Sequence, residues 1–83
     1  MTVRAYILVE AVPGRGQGIM ETLRGNSKIK NATRVYGPID IIVEVEAQDQ
    51  RIITSILHED IQTIPGIART TTCFVVRPST APH

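Results

Sequence analysis

The sequence has no tryptophan and few aromatic residues of any kind: one phenylalanine and two tyrosines, 4% in all. Enclosed small-molecule cavities are commonly lined by apolar and aromatic side chains with a few placed polar groups. Only His58 and the terminal His83 are available as histidines, so an enzyme is not expected. Cysteine is nearly missing too. Cys73 stands alone, which excludes an intrachain disulfide, and a free thiol fits a reducing compartment. A cytoplasmic location is therefore expected. An excess of one charge is also lacking. The nine Lys and Arg against eight Asp and Glu leave a net charge of +1. No segment concentrates the cations, which argues against direct nucleic-acid binding through a basic face. No apolar run is long enough to span a bilayer. The stretch from Ala5 to Val12 is broken by Glu10 and shows no secretory cleavage pattern, so no membrane partner is expected.

What remains is the composition of one folded domain, 42% hydrophobic and 20% charged over 83 residues. So short a chain has a stability on the order of 4–10 kcal/mol by itself, and association is a natural supplement. Glycines and prolines fall between or after the apolar runs and divide the chain. Val3 to Ala11 is rich in β-prone residues and reads as a strand, stopped by Pro13-Gly14. Ile19, Met20 and Leu23 recur at helical spacing within a helix of about Gln17 to Gly25. A second strand, about Ala32 to Tyr36, and a third, Asp40 to Ala47, flank a tight Gly37-Pro38 connection. Asp49 is the expected N-cap of a second helix carrying Ile52, Ile53, Ile56, Leu57, Ile61 and Ile64 on one stripe. Pro65-Gly66 ends it, and a fourth strand runs Ala68 to Val76. Residues 1–76 thus form the domain, and 77–83, with two prolines and no apolar pattern, form a mobile tail.

The order β-α-β-β-α-β repeats weakly at an offset that places Ile7 on Val45, Ile19 on Leu57, Leu23 on Ile61 and Ile29 on Ile67. Right-handed crossovers put both helices on one face of a four-stranded antiparallel sheet, an α+β ferredoxin-like fold. Strand alternation then assigns the second face. Ala5, Ile7, Val9, Ile41, Val43, Val45, Thr71, Cys73 and Val75 are placed toward the helices. Tyr6, Leu8, Ile42, Phe74 and Val76 are placed on the open face, with Thr70 and Thr72. So large an apolar patch predicts a homodimer packed sheet against sheet. A slip of one residue in strand four would exchange its faces.

Candidate chemistry is sparse. Gly14-Arg15-Gly16-Gln17-Gly18 lacks the third glycine of a dinucleotide fingerprint and has no Walker lysine, so a flexible loop is the better reading. His58 has no second His or Cys nearby to share a metal, and a packed Cys73 outweighs a nucleophile. Glu44 and Glu46 share a face, as paired acid-base groups would, but more often such residues are rim charges. No catalytic residue, metal or cofactor is expected. Asp40 is the most informative residue. It follows a turn in which Gly37 lets backbone N–H groups approach a ligand. Those donors and the Asp40 carboxylate together suit the two charged ends of a zwitterion. The plain alternative is that Asp40 caps the turn.

Three segments together resemble the effector-binding (RAM) domain of Lrp/AsnC transcription regulators. They are Tyr36-Gly37-Pro38-Ile39-Asp40 before an aliphatic strand, Ile64-Pro65-Gly66-Ile67, and Thr70-x-Thr72-x-x-Val75-Val76. The resemblance covers about Ala5 to Val76. It implies a ferredoxin-like domain that dimerises through its sheets, assembles into rings of dimers and binds amino acids at subunit interfaces. It implies an effector site of Tyr36, Gly37, Pro38 and Asp40, with Thr70 and Thr72 near the interface that completes it. With strand one expected to begin at about Val3, the helix-turn-helix of the regulators is not expected before it. The expected function is a stand-alone, oligomeric amino-acid-binding module that senses for, or co-assembles with, full-length Lrp/AsnC regulators without binding DNA itself. Two alternatives stay open: a purely structural assembly partner, and a small dimeric α-β barrel enzyme of monooxygenase or isomerase type.

Overall fold

The structure is a computed structural model and describes residues 2–76. The tail expected over 77–83 lies outside the described residues. The chain runs β1 (Val3–Ala11), α1 (Gly16–Arg24), β2 (Ile29–Arg34), β3 (Ile41–Ala47), α2 (Gln50–Ser55) continuing as a π-helical segment (Ile56–Ile61), and β4 (Ile67–Phe74). The strands form one antiparallel sheet in the order β2-β3-β1-β4. This is the expected ferredoxin-like arrangement.

The core is the helix-facing side of the sheet and the helices above it. Ala5, Ile7 and Val9 of β1 and Ile41, Val43 and Val45 of β3 are fully buried. Ile19, Met20 and Leu23 close over them from α1, Ile53, Ile56 and Ile61 from α2 and its continuation, and Ile64 from the loop that follows. No polar or charged side chain is buried among the described residues. The core is therefore purely apolar, and directional polar contacts fix only the periphery. Asp49 caps α2 as expected, accepting the Ile52 N–H at 3.0 Å. Asp49→Ala should lower stability by about 1 kcal/mol, a fall in Tm of about 4–8 °C for a domain of this size. A Tm unchanged in thermal unfolding would show the cap to be dispensable. Asp60, on the π-helical continuation of α2, joins it to the α1–β2 loop, accepting from Asn26 at 3.0 Å and pairing with Lys28 at 3.3 Å. The Asn26 hydrogen bond and then Lys28 hold its carboxyl below the usual range. The tie is thus present at neutral pH and lost as pH falls through that lowered range.

Several boundaries differ from expectation, each for a local reason. β2 starts earlier, at Ile29, and is bulged between Ile29 and Asn31, which hides its alternation. The β2–β3 connection is longer than a tight Gly-Pro turn. The Val35 N–H donates to the Asp40 carbonyl, leaving Tyr36, Gly37, Pro38 and Ile39 as a loop. The apolar stripe of the second helix steps from Ile56 to Ile61, too far for an α-turn. The chain widens there, and the Gln62 N–H donates to the Leu57 carbonyl at 2.8 Å.

The face assignment of strand four is corrected. Ala5 lies opposite Phe74, Ile7 opposite Thr72 and Val9 opposite Thr70. Directly opposed residues share a face, so Thr70, Thr72 and Phe74 lie on the helix side. Cys73, opposite Tyr6, is exposed on the open face rather than packed in the core. Val76 falls beyond β4 and is 86% exposed. The physical reason is that β4 is an edge strand. Its helix-facing threonines extend past the apolar cover, so hydrophobicity does not mark the buried side.

Candidate functional site

The β2–β3 loop is built by its ends. The Asp40 N–H donates to the Val9 carbonyl at 2.9 Å, which seats the loop on β1. Gly37 takes a φ of 149°, where a side chain would be strained, and the space around its Cα is open. The N–H groups of Tyr36, Gly37 and Ile39 find no partner among the described residues, and the Tyr36 side chain is fully exposed. The loop thus presents unpaired donors beside one carboxylate.

Asp40 has a further task that the sequence did not reveal. Its Oδ2 accepts the Ala11 N–H at 2.7 Å. The β1–β4 register shifts between Glu10 and Ala11, and the carboxylate supplies an acceptor to the strand at that irregularity. Asp40 therefore ties the loop to β1, rather than merely capping its own turn. Its other oxygen accepts no hydrogen bond among the described residues.

The structure does not bring Thr70 and Thr72 onto one face with Asp40. The loop and β4 flank β1 from opposite sides, two strand spacings or roughly 10 Å apart. They do share one end of the sheet, since Val9 bonds Asp40 and lies opposite Thr70. Thr70 is instead joined to the helical segment. The Gln62 Nε2 donates to the Thr70 Oγ1 at 3.0 Å, and His58 Nδ1 lies 2.8 Å from Gln62 Oε1. Neither Gln62 nor this linkage was legible as a site. The only signal was the long step from Ile56 to Ile61 that marks the widened helix.

On the open face, Tyr6, Leu8 and Ile42 form an apolar centre, as expected, and Cys73 and Val75 extend it in place of Phe74 and Val76. Ions border it. Arg4 reaches Glu44 at 3.5 Å and Glu46 at 3.4 Å, Lys30 approaches the same two carboxylates at 3.9 and 3.7 Å, and Glu10 lies 3.9 Å from Arg69. The Glu46 hydrogen bond and charge raise the Arg4 pKa further. Glu44 and Glu46 are thus paired rim charges within one chain.

Open grooves among the described residues lie elsewhere. One, of about 280 Å³, runs along Gly14, Arg15, Gly18, Thr22, Ile64 and Pro65. Another, of about 270 Å³, lies between Leu23, Arg24 and β2. No three His, Cys, Asp or Glu side chains come together to hold a metal ion among the described residues. None of the described helices is long and apolar enough to cross a membrane.

Residues 4–80 match the family model described as the Lrp/AsnC ligand binding domain. No protein of curated function matches the sequence. Among solved structures, the chain is similar to FFRP-DM1, at 32% identity and a TM-score of 0.83, covering 89% of this chain and 99% of that one. It is similar to a hypothetical protein from Pyrococcus horikoshii, at 31% identity and a TM-score of 0.82, covering 98% of each. A transcriptional regulator from Neisseria meningitidis, solved in complex with L-Met, shares the fold at 13% identity and a TM-score of 0.80. There the match covers 98% of this chain and 53% of the regulator.

Proposed function

The chain belongs to the Lrp/AsnC ligand-binding-domain family, and from that premise we propose that it is an oligomeric amino-acid-binding module that modulates transcription regulators without contacting DNA itself. The observation that carries the reading is the β2–β3 loop. Unpaired N–H groups of Tyr36, Gly37 and Ile39 stand beside the Asp40 carboxylate. Backbone N–H donors suit an α-carboxylate, and the Asp40 oxygen that does not bind Ala11 suits an α-ammonium. The L-Met complex of the Neisseria meningitidis regulator supports an amino acid as the ligand class. The balanced net charge of +1 supports a role that does not rest on DNA phosphates.

Thr70 and Thr72 enter the proposal at the sheet end they share with the loop. Because the loop stands open on one protomer, a second copy is assigned the task of covering it. The apolar centre at Tyr6, Leu8 and Ile42 is the proposed dimer face, and further contacts between dimers would close a ring.

Isothermal titration of the wild-type chain with each proteinogenic L-amino acid tests the reading directly. At least one should bind saturably. Asp40→Asn is the discriminating variant, since an amide oxygen still accepts from Ala11 while the charge is lost. It should weaken binding by at least about tenfold, the loss of one charge-assisted contact, with Tm nearly unchanged. Unaltered affinity would refute the ammonium contact. Asp40→Ala is a poorer probe, because it also leaves the Ala11 N–H without its acceptor.

A further inference from the structure

The α1–β2 side of the molecule combines a free strand edge with cations that lack partners. β2 pairs with β3 alone, so it ends the sheet, and its outward N–H and C=O groups face no strand. α1 runs back alongside it. The end of α1 meets the start of β2 at the groove of about 270 Å³, whose lining includes Leu23, Arg24, Ile29 and Ala32. The start of α1 meets the end of β2 at Gly16, where the Arg34 guanidinium packs so closely that a Cβ would lie 2.8 Å from its Nη2. An arginine thus stands at each end of the cleft between helix and edge strand. Neither Arg24 nor Arg34 is within ion-pair distance of a carboxylate among the described residues. Lys30 and Lys28 already have Glu44, Glu46 and Asp60. No carboxylate lines the groove, and Glu21, one turn back on α1, is not part of its wall.

We propose that the β2 edge takes up an extended acidic segment of a partner protein as a fifth strand, with a carboxylate at each end of the segment and an apolar residue between them. Ile29, Ala32 and Arg34 lie opposite Val45, Val43 and Ile41, which are buried toward the helices, so all three face the helix side. An added strand sends every second side chain to that same side. Its middle side chain meets Ile29 and Ala32, and those two positions away on either hand meet Arg24 and Arg34. The charges also decide which strand is admitted. Lys30, Arg34 and the bulge between Ile29 and Asn31 are features that guard an edge against neutral and basic strands. A strand that carries carboxylates turns the same cations into contacts. Main-chain hydrogen bonds supply affinity, and charge supplies selectivity. The cleft lies on the helix side, away from the open face at Tyr6, Leu8 and Ile42, so occupation of one leaves the other accessible.

The probe is a fluorescein-labelled seven-residue peptide of threonines, with glutamate at its second and sixth positions and valine at its fourth. Fluorescence anisotropy should show saturable binding to the wild-type chain. Affinity should exceed that of the same peptide with glutamines in place of the glutamates by at least about tenfold. A shuffled peptide with its two glutamates adjacent carries the same charge and should bind more weakly. Arg24→Glu combined with Arg34→Glu, both at exposed positions, should abolish binding of the glutamate peptide and admit its lysine counterpart. Circular dichroism confirms the fold of that variant, and the glutamine and shuffled peptides test the proposal on the wild-type chain alone. No saturable binding, equal binding of the glutamine or shuffled peptide, or binding that survives the charge reversal overturns the proposal. A wild-type assembly that the charge reversal breaks in sedimentation velocity overturns it too, by giving this edge to a second copy of the chain.

Discussion

Gly66→Ala should be among the most damaging single-methyl additions in this domain, with a fall in Tm of about 8–32 °C. Two independent features add at this position. Gly66 adopts a φ of +98°, which L-residues avoid at roughly 1–2 kcal/mol. A Cβ placed there would also lie 2.6 Å from the Arg15 Cβ and 2.8 Å from its Cγ. The first of these is main-chain-anchored and cannot swing aside as the tip of a long side chain can. The backbone cannot easily retreat either, since the Gly66 carbonyl accepts the Val12 N–H at 2.7 Å and the Val12 carbonyl accepts the Arg15 N–H at 3.0 Å. The α2–β4 loop, the end of β1 and the entry to α1 are therefore locked together around one missing side chain. Strain and overpacking together come to about 2–4 kcal/mol, and each kcal/mol moves Tm by about 4–8 °C in a domain of this size. Thermal unfolding followed by circular dichroism measures the loss. Arg15→Gly in the Gly66→Ala background removes the contact but not the φ strain, so it should recover part of the loss. A shift below about 4 °C for Gly66→Ala would show that the loop adapts freely and that neither feature constrains it.

Gly66 also illustrates what was legible in the sequence. Pro65-Gly66 reads as the helix end, which the structure places earlier, at Ile61, and the close approach of Gly66 to Arg15 depends on tertiary packing and leaves no local trace. The apolar alternation of β1 and β3 fixed both faces of the central strands correctly, because helices cover one side fully and leave only Val, Ile and Ala there. β4 failed by the same logic. Its helix-facing Thr70 and Thr72 are half-covered, Cys73 and Val75 are apolar but face outward, and the register shift at Glu10 and Ala11 gives no sequence signal. The loop that carries the candidate site was legible from Gly37 and Asp40, whose spacing relative to β3 was visible. The Asp40 bond to Ala11 was not, because it joins residues brought together only when β3 pairs with β1. The His58–Gln62–Thr70 chain was invisible for a related reason. It depends on a widening of the helix that shifts the phase of every residue after Ile56.

Leu8→Lys should convert a dimer into a monomer while leaving the fold intact. Leu8 lies opposite Ile42 on one side and Thr71 on the other, at the middle of the open face. Tyr6, Ile42, Thr71 and Cys73 surround it, and the nearest charges are tied into the Arg4–Glu44–Glu46–Lys30 and Glu10–Arg69 groups. If two copies pack these faces about a two-fold axis, a lysine at position 8 is forced into an apolar contact where the neighbouring carboxylates, Glu10 and Glu44, are already engaged by Arg69 and by Arg4 and Lys30, and its copy approaches from the other side. An unpaired buried charge of this kind is worth several kcal/mol, so the dimer should weaken by at least about 100-fold. The core should not respond, because position 8 faces away from it, and the far-ultraviolet circular dichroism and Tm of the monomer should report a folded domain. Phe74→Lys supplies the contrast. The register places Phe74 opposite Ala5 on the helix side, so this charge should leave self-association unchanged. Sedimentation velocity at micromolar concentration reads both variants against the wild type. A wild-type monomer would remove the sheet-to-sheet dimer from the proposal, and a dimer that survives Leu8→Lys but breaks on Phe74→Lys would move the interface from the open face to the edge at β4.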